Sequence, residues 1–260
     1  MRFRPCIDIH NGKVKQIVGS SLKDEGNRAE ENYVSEQDSA FYAGLYKRDG
    51  LKGGHVILLN PAGSAYYEAT KKQALLALST YPDGLQIGGG IHAENAEEFL
   101  EAGASHVIVT SYVFSDGKVN YQNLEKMKRT VGREHLVLDL SCRKQGEDYF
   151  IVTDRWQKFT EERITTALLD DLMSCADEFL VHAADVEGKS AGIEKELAEL
   201  LGSWSRIPIT YAGGVGSFKD LELLRQAGRG RLNVTIGSAL DLFGGSMKYE
   251  KVMDYMRNVK

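Results

Sequence analysis

The chain alternates between short apolar runs and longer segments in which apolar residues recur at helical spacing. Eight of the short runs are rich in β-branched residues, which favours buried strands. They cover residues 3–9, 55–59, 84–87, 106–110, 135–140, 178–182, 207–211 and 232–236. Amphipathic segments lie between them, most clearly at 93–102 and 218–227, and each of these two ends before a glycine that predicts helix termination. This alternation predicts parallel βαβ units.

An internal repeat indicates how these units are arranged. Residues 88–111, GGGIHAENAEEFLEAGASHVIVTS, align with residues 212–238, AGGVGSFKDLELLRQAGRGRLNVTIGS. The halves also begin alike, because Asp8 and Asp139 each stand at a strand end before a hairpin-like segment. Eight strand–helix pairs with such a repeat predict an α/β fold, a (β/α)8 TIM barrel built from two similar half-barrels. We expect one domain over residues 1–260, with half-barrels at about 1–131 and 132–260.

An open, doubly wound sheet would produce the same alternation of strands and helices. Its dinucleotide-binding version needs GxGxxG after the first strand, and the sequence has none there. The barrel is therefore the better interpretation.

Composition excludes several classes of partner. The 260 residues include 32 basic and 37 acidic side chains mixed along the chain, so no basic block indicates binding to nucleic acid or to an anionic membrane. The longest apolar runs are far shorter than the roughly 20 residues that cross a bilayer. No long exposed apolar stripe predicts an interface, and we expect a monomer.

The cysteines bear on metal binding and on compartment. Cys6, Cys142 and Cys175 are far apart and form no CxxC motif or Cys/His cluster in the sequence, which argues against a zinc site or a disulfide framework. A reducing, cytoplasmic location is expected. The N-terminus lacks the apolar core of a signal peptide, although a transit peptide could have preceded it.

The two repeated aspartates are the first candidates for chemistry. Active sites of (β/α)8 enzymes form at the carboxyl ends of the strands, where Asp8 and Asp139 stand on opposite sides of the predicted barrel mouth. Two carboxylates can divide acid and base roles if their surroundings separate their pKa values. An ordinary salt bridge at a strand end is the alternative, and the repeat favours the catalytic interpretation.

Paired glycine turns predict phosphate binding. A glycine turn between a strand and a helix brings backbone N–H groups and the positive end of the helix dipole close to an anion. Hydroxyls follow each turn at the next strand end. The predicted phosphate-binding residues are Gly88, Gly89, Gly90, Thr110 and Ser111 in one half, and Gly213, Gly214, Gly237 and Ser238 in the other. A tight turn alone would also need glycine, so the matched duplication is the stronger signal.

Two further side chains are candidates for contact with a substrate. His182 closes the sixth predicted strand and can face the barrel mouth, although a structural role is common for such a histidine. Trp156 follows Asp139 in a loop and could stack on a heterocycle or pack on its own hairpin. The loop around Trp156 and the segment 19–36 are polar enough to act as lids.

The sequence resembles a known family, the half-barrel enzymes of histidine biosynthesis. Within it, the chain is similar to the phosphoribosylformimino-5-aminoimidazole carboxamide ribotide isomerases in their eukaryotic form. The resemblance covers nearly the whole chain and rests on IDIHNGKVKQIVG, IGGGI, VIVTS, LDLSCR, HAADVEGKSAGIEKEL, AGGVGSF and VTIGSAL.

This resemblance implies an Amadori rearrangement that converts an N-linked aminoaldose into an aminoketose, ProFAR into PRFAR, with no cofactor and no metal. It implies that Asp8 is the general base at sugar C2, that Asp139 is the general acid at the ring oxygen, and that the two glycine turns hold the two phosphates of a small bis-phosphate substrate.

The sequence departs from the family pattern at a few positions. His182 stands where the family often has Thr, Glu187 where it has Asp, and His92 where it has Arg. The imidazole of His182 could then replace a hydroxyl that assists the acid, and one phosphate could lose a guanidinium contact.

Three alternatives remain open from the sequence. The sister cyclase, imidazole glycerol phosphate synthase, shares the Cys6-Ile7-Asp8 pattern, but its first hairpin carries a characteristic Lys and its seventh and eighth strands read differently. A catalytically silent phosphosugar binder would have no need of two carboxylates near an anionic ligand. A bifunctional isomerase that also accepts the tryptophan-pathway analogue is permitted by the resemblance but not favoured by the sequence.

Overall fold

Eight parallel strands form the centre of the molecule. The computed structural model describes residues 1–17, 31–189 and 192–259. Neighbouring strands follow the order of the chain, and parallel bonding between Phe3 and Val234 joins the last strand to the segment before the first. The strands are β1 (Cys6–His10), β2 (Gly54–Leu58), β3 (Leu85–Gly88), β4 (His106–Val109), β5 (Leu136–Asp139), β6 (Glu178–His182), β7 (Ile209–Ala212) and β8 (Asn233–Thr235).

A helix follows each strand in the described part of the chain. The helices are α1 (Ser39–Arg48), α2 (Tyr67–Thr80), α3 (Ala96–Glu101), α4 (Tyr121–Val131), α5 (Thr166–Leu172), α6 (Lys195–Trp204), α7 (Phe218–Ala227) and α8 (Tyr249–Asn258). The predicted (β/α)8 barrel is therefore confirmed. The division into half-barrels near residue 131 stays a prediction, and it coincides with the end of α4.

Shorter elements extend from the barrel. Strands Lys13–Ile17 and Glu31–Val34 follow β1, and a three-stranded sheet of Cys142–Gln145, Asp148–Thr153 and Lys158–Arg163 follows β5. A two-stranded ribbon, Phe114–Ser115 with Lys118–Val119, follows β4, and 3-10 turns lie at Arg133–His135 and Asp241–Phe243. No described helix is long and apolar enough to cross a membrane.

The two helices that the sequence predicts most clearly have different outcomes. The prediction for α7 is confirmed at both ends, because the Ser217 hydroxyl accepts the Asp220 N–H at 3.2 Å and caps the first turn. The prediction for α3 was too long. Asn95 accepts the His92 N–H through its side chain at 2.9 Å, and this local turn delays the start of the helix to Ala96.

Strand register determines which side chains enter the barrel. Asp8 pairs with Ile57 across β1 and β2, and Asp139 pairs with Leu180 across β5 and β6. Ile57 and Leu180 pack with Ile108 in a small apolar cluster that is separate from the main core between strands and helices. Both aspartates therefore share the inner face of the barrel with this cluster and stand above it at the carboxyl ends of their strands.

A buried polar network lies below this apolar cluster. The Glu178 carboxylate, 3% exposed, accepts hydrogen bonds from Arg4, Gln86 and Thr210, and Arg4 also forms an ion pair with it. Removing one partner of a buried ion pair leaves the other charge without compensation. This network thus connects β6 and β7 to the segment before β1 and contributes to the closure of the barrel.

We expect Arg4→Met to lower the free energy of unfolding by about 3 kcal/mol, because the Glu178 carboxylate would stay buried without its cation. Urea denaturation measures this change, and Arg2→Met at an exposed neighbouring position is the matched control, expected within about 0.5 kcal/mol of wild type. Equal stability of the two variants would show that the ion pair contributes nothing to the barrel.

Candidate active site

A cavity of about 900 Å³ opens at the carboxyl ends of the barrel strands. Such a position is where enzymes of this architecture bind their substrates. Every residue that the sequence predicts for the site lines it: Asp8, Asp139, His182, Trp156, Gly88, Gly89, Gly90, Thr110, Ser111, Gly213, Gly214, Gly237 and Ser238. The structure thus brings together all candidates from both halves, and their individual roles stay predictions.

Asp8 lies on the inward face of β1, two residues before the strand ends, in an environment that disfavours its charge. Gln16, on the returning strand of the first hairpin, donates its amide N–H to Asp8 Oδ2 at 3.1 Å. Burial and then the nearby Glu187 carboxylate raise the pKa of Asp8 to about 7, against the opposing effects of His182 and Gln16. A carboxylate with such a pKa can accept a proton near neutral pH and release it again.

Asp139 lies in the opposite electrostatic situation. Ser141 donates both its backbone N–H, at 2.9 Å, and its hydroxyl, at 2.7 Å, to Asp139 Oδ1. The imidazole Nδ1 of His182 lies 3.5 Å from the same oxygen. Burial acts to raise the pKa of Asp139, but the charge of His182 and these hydrogen bonds together outweigh it and lower the pKa. The carboxylate is therefore ionised in the unliganded site.

His182 complements Asp139. Burial acts to lower the pKa of His182, but Asp139, followed by Glu187 and Asp8, outweighs it and raises the pKa. The carboxyl group of Glu187, which also lines the cavity, has a raised pKa because it is buried. The carboxyl groups of Asp8, Asp139 and Glu187 thus all act on the imidazole of His182, and the pKa of Asp139 is lowered whereas those of Asp8 and Glu187 are raised.

The two glycine turns have matching backbone geometry. Gly89 and Gly213 have φ values of +97° and +114°, and the next glycines, Gly90 and Gly214, have +71° and +77°. A Cβ atom at Gly89 would lie 2.1 Å from the Leu58 carbonyl oxygen, so any other residue there would displace β2. The repeat in the sequence therefore corresponds to a repeat in backbone conformation at the cavity.

The predicted hydroxyl partners have other contacts as well. Thr110 donates its hydroxyl to Asp139 Oδ2 at 3.3 Å, and Ser111 Oγ accepts the backbone N–H of Asp154 at 3.4 Å. Thr110 therefore supports the ionised carboxylate of Asp139. Ser111 ties the end of β4 to the loop that carries Trp156.

That loop covers one side of the cavity. Asp154, Arg155 and Trp156 have φ values of +50°, +57° and +65°, a left-handed run that is strained for residues other than glycine. The indole ring of Trp156 lies 5.5 Å from the imidazole of His182 between ring centres. A lid role for this loop stays a prediction. Most of the other predicted lid, which covers residues 19–36, lies outside the described residues, because these omit 19–30.

Sequence reasoning missed four residues of the site or gave them little weight. Gln16 and Ser141 were not predicted, although both face inward. Gln16 lies one hairpin turn after Asp8, and Ser141 lies two residues after Asp139. Glu187 was noted only as a departure from the family. His55 was not among the predicted site residues, yet it is buried in the cavity wall with its ring 5.8 Å from that of His182. His92, in contrast, turns away to pair with Glu94 at 2.9 Å.

The fold and the cavity together define a (β/α)8-barrel enzyme with facing carboxylates. Comparison with known proteins gives the family. A model described as histidine biosynthesis protein matches residues 2–247, and the chain belongs to this family.

Named relatives cover almost the whole chain. The chloroplastic 1-(5-phosphoribosyl)-5-((5-phosphoribosylamino)methylideneamino)imidazole-4-carboxamide isomerase of Medicago truncatula is 53% identical, over 100% of this chain and 83% of the relative. Isomerases with the same substrate name from Neurospora crassa and Saccharomyces cerevisiae are 44% and 40% identical, over 94% and 96% of this chain and 93% and 95% of the relatives. The resemblance seen in the sequence is thereby confirmed.

Proposed function

We propose that this chain isomerises the N-linked aminoaldose bis-phosphate named in its relatives to the corresponding aminoketose, a step of histidine biosynthesis. One observation carries the proposal: Asp8 and Asp139 line the same cavity from opposite sides of the barrel, and their pKa values are shifted in opposite directions. An aldose–ketose rearrangement needs one group that takes a proton and one that gives a proton.

The glycine turns supply the binding energy for the substrate in this proposal. One phosphate binds at Gly89 and Gly90, and the other at Gly213 and Gly214, where backbone N–H groups can donate to phosphate oxygens. Binding at both ends places the ribose ring between Asp8 and Asp139. Fixed placement of this kind converts two proton transfers into steps within one complex.

The proposed reaction conserves all atoms of the substrate. The acid donates a proton to the ring oxygen, the bond from that oxygen to C1 breaks, and the nitrogen lone pair forms a C1–N double bond. Asp8 then removes the C2 proton, which gives an enolamine. Return of a proton to C1 and loss of the hydroxyl proton at O2 give the ketone. Two protons are lost, from C2 and from O2, and two are gained, at the ring oxygen and at C1, so the sequence balances.

We assign the acid function to the pair of Asp139 and His182. Asp139 by itself has no proton to donate, because its lowered pKa keeps it ionised in the free site. His182 has a raised pKa, and its Nδ1 lies 3.5 Å from Asp139 Oδ1. The pair can therefore hold one proton and deliver it to the ring oxygen when the ligand fills the cavity. Thr110 and Ser141 keep the carboxylate oriented through hydrogen bonds.

His182→Ala is expected to lower kcat by roughly 100-fold, within the range of a lost acid or base. Because the substitution leaves a space beside Asp139, added imidazole should restore part of the rate, which a purely structural histidine would not permit. His92→Ala, at an exposed histidine paired with Glu94, is the matched control and should keep wild-type kinetics. Unchanged kcat and KM in His182→Ala would exclude this role.

Two other functions can be separated by assay. Purified wild type should convert the aminoaldose to the aminoketose in a buffer without metal, ammonia or partner protein. Conversion only of the aminoketose, and only with ammonia, would identify the sister cyclase instead. Saturable binding of the aminoaldose without turnover would identify a silent binder, and turnover of the tryptophan-pathway analogue at a similar kcat/KM would identify a bifunctional enzyme.

The remaining expectations are also part of the proposal. We propose a monomer that needs no cofactor. We propose the cytoplasm as its compartment on the basis of three free cysteines, which fit a reducing environment. The chloroplast, named for the Medicago relative, is the alternative, and microscopy of a tagged full-length protein would distinguish the two.

A further inference from the structure

Three side chains with different metal-binding atoms meet on the inner wall of the barrel. Cys6 and Asp8 are two positions apart on β1 and thus face the same side, and His55 on β2 is the register partner of Cys6. The thiol sulfur, one carboxylate oxygen and one ring nitrogen all lie within 4.8 Å of one another. The spacing of 49 residues between Cys6 and His55 conceals this cluster in the sequence.

His55 is a buried polar side chain without a hydrogen-bonded partner in the described part of the chain. It is 2% exposed, and its ring contact is with His182, edge to face, at 5.8 Å between ring centres. A neutral imidazole keeps a free lone pair on one ring nitrogen, and this is the atom that binds a metal ion. Here its place is beside a thiol and a carboxylate that border the cavity.

The charges around the cluster favour a cation. Asp8 and Glu187 both line the cavity beside this cluster. Gln16 donates its amide N–H to Asp8 Oδ2 at 3.1 Å and to Cys6 Sγ at 3.6 Å, so both atoms already act as acceptors. A divalent cation would compensate both carboxylates and the thiolate formed on its binding.

We propose that Cys6, Asp8 and His55 form a binding site for a divalent transition-metal ion of the zinc class. Sulfur, nitrogen and oxygen ligands together suit Zn²⁺, which takes four ligands at about 2.0–2.3 Å. Ligand atoms in such a tetrahedron are roughly 3.5 Å apart, so side-chain rotations that close the present separations by about 1 Å form the site. The fourth position is open to water, because Gln16 turns its amide N–H, and not its oxygen, towards Cys6 and Asp8.

The metal would inhibit the enzyme reversibly. This consequence rests on the proposed function, because the ion would take the carboxylate of Asp8 that serves there as the base. It would also displace the hydrogen bond from Gln16 to Asp8. Binding of the substrate and binding of the metal would then be mutually exclusive, so free zinc would lower the rate of turnover.

Cobalt(II) tests the site without any assay of activity. Co²⁺ bound through a thiolate gives an intense near-ultraviolet charge-transfer band, and we expect this band at one equivalent in metal-free wild type. Cys6→Ser should abolish it. His55→Gln should keep a weaker band and reduce affinity by more than tenfold, since even changes outside the ligands cost 10–100-fold. Cys142→Ser, at a buried cysteine on another strand, is the matched control and should keep the band.

Two results would overturn the proposal: no thiolate band in folded wild type, or a band that persists in Cys6→Ser. If Cys6→Ser fails to fold, His55→Gln decides, because unchanged affinity in that variant removes the site. Zn²⁺ should inhibit wild type competitively with substrate, and a chelator should restore the rate. A cobalt band in a protein that lacks isomerase activity would support the metal site while rejecting the proposed function.

Discussion

Asp8→Asn is expected to lower kcat by roughly 10²–10⁴-fold, the range of a lost general base, while binding of a bis-phosphate ligand stays within about threefold of wild type. The asparagine has the shape of aspartate and can keep the contact with Gln16, but it cannot accept the C2 proton. Steady-state kinetics and direct titration of the aminoketose product measure both quantities. Asp254→Asn, at an exposed carboxylate paired with Arg257, is the matched control. A kcat near that of wild type would remove Asp8 as the base.

The same substitution should stabilise the fold at alkaline pH. In the folded protein the pKa of Asp8 is about 7, above the ordinary value of 3.8, so the folded state holds a proton that the unfolded chain releases between these values. Stability therefore falls as pH rises through this window and stays reduced above it. Asp8→Asn removes this cost, and urea denaturation at pH 8 in metal-free buffer should give a higher free energy of unfolding than for wild type. Lower stability would indicate that Asp8 is structural.

Asp139→Asn is expected to produce a comparable loss of kcat, again roughly 10²–10⁴-fold. The change removes the negative charge that contributes to the raised pKa of His182, so the acid proton is held less well. NMR titration of the imidazole should show a lower pKa for His182 in this variant. A structural carboxylate would instead leave kcat intact and change only stability.

Ser141→Ala is the matched comparison for Asp139→Asn, because it removes only the hydroxyl that donates to Asp139 Oδ1. A smaller loss, on the order of tenfold, is expected from this change. Equal losses in the two variants would show that orientation of the carboxylate, and not its charge, limits turnover.

Periodicity predicted the barrel because each strand is buried on both faces and therefore reads as a continuous apolar run. The runs at 106–110 and 178–182 agree with β4 and β6 to within one residue. Glycines were also predictable, because Gly89 and Gly213 need a backbone conformation that other residues rarely adopt. The local sequence was therefore sufficient to predict both the fold and the glycine turns of the predicted phosphate sites.

The surroundings of the aspartates could not be predicted in the same way. Gln16 reaches Asp8 only because the first hairpin folds back over the barrel, and His55 meets Cys6 only through the register of β1 and β2. The pKa shifts depend on distances between chain segments as far apart as Asp8 and Glu187. The strand ends in the sequence therefore predicted where the two carboxyl groups lie. Their protonation could not be predicted, because it depends on residues that are distant in the sequence and close in the structure.

The fate of the C2 hydrogen during turnover tests acid–base catalysis by Asp8 and Asp139 directly. With aminoaldose labelled by deuterium at C2, we expect a primary isotope effect of several-fold on kcat/KM and release of part of the deuterium to solvent water, because Asp8 carries it as a proton. Complete transfer of the deuterium to C1 with none in water, at the same rate in wild type and Asp8→Asn, would contradict acid–base catalysis by the two aspartates.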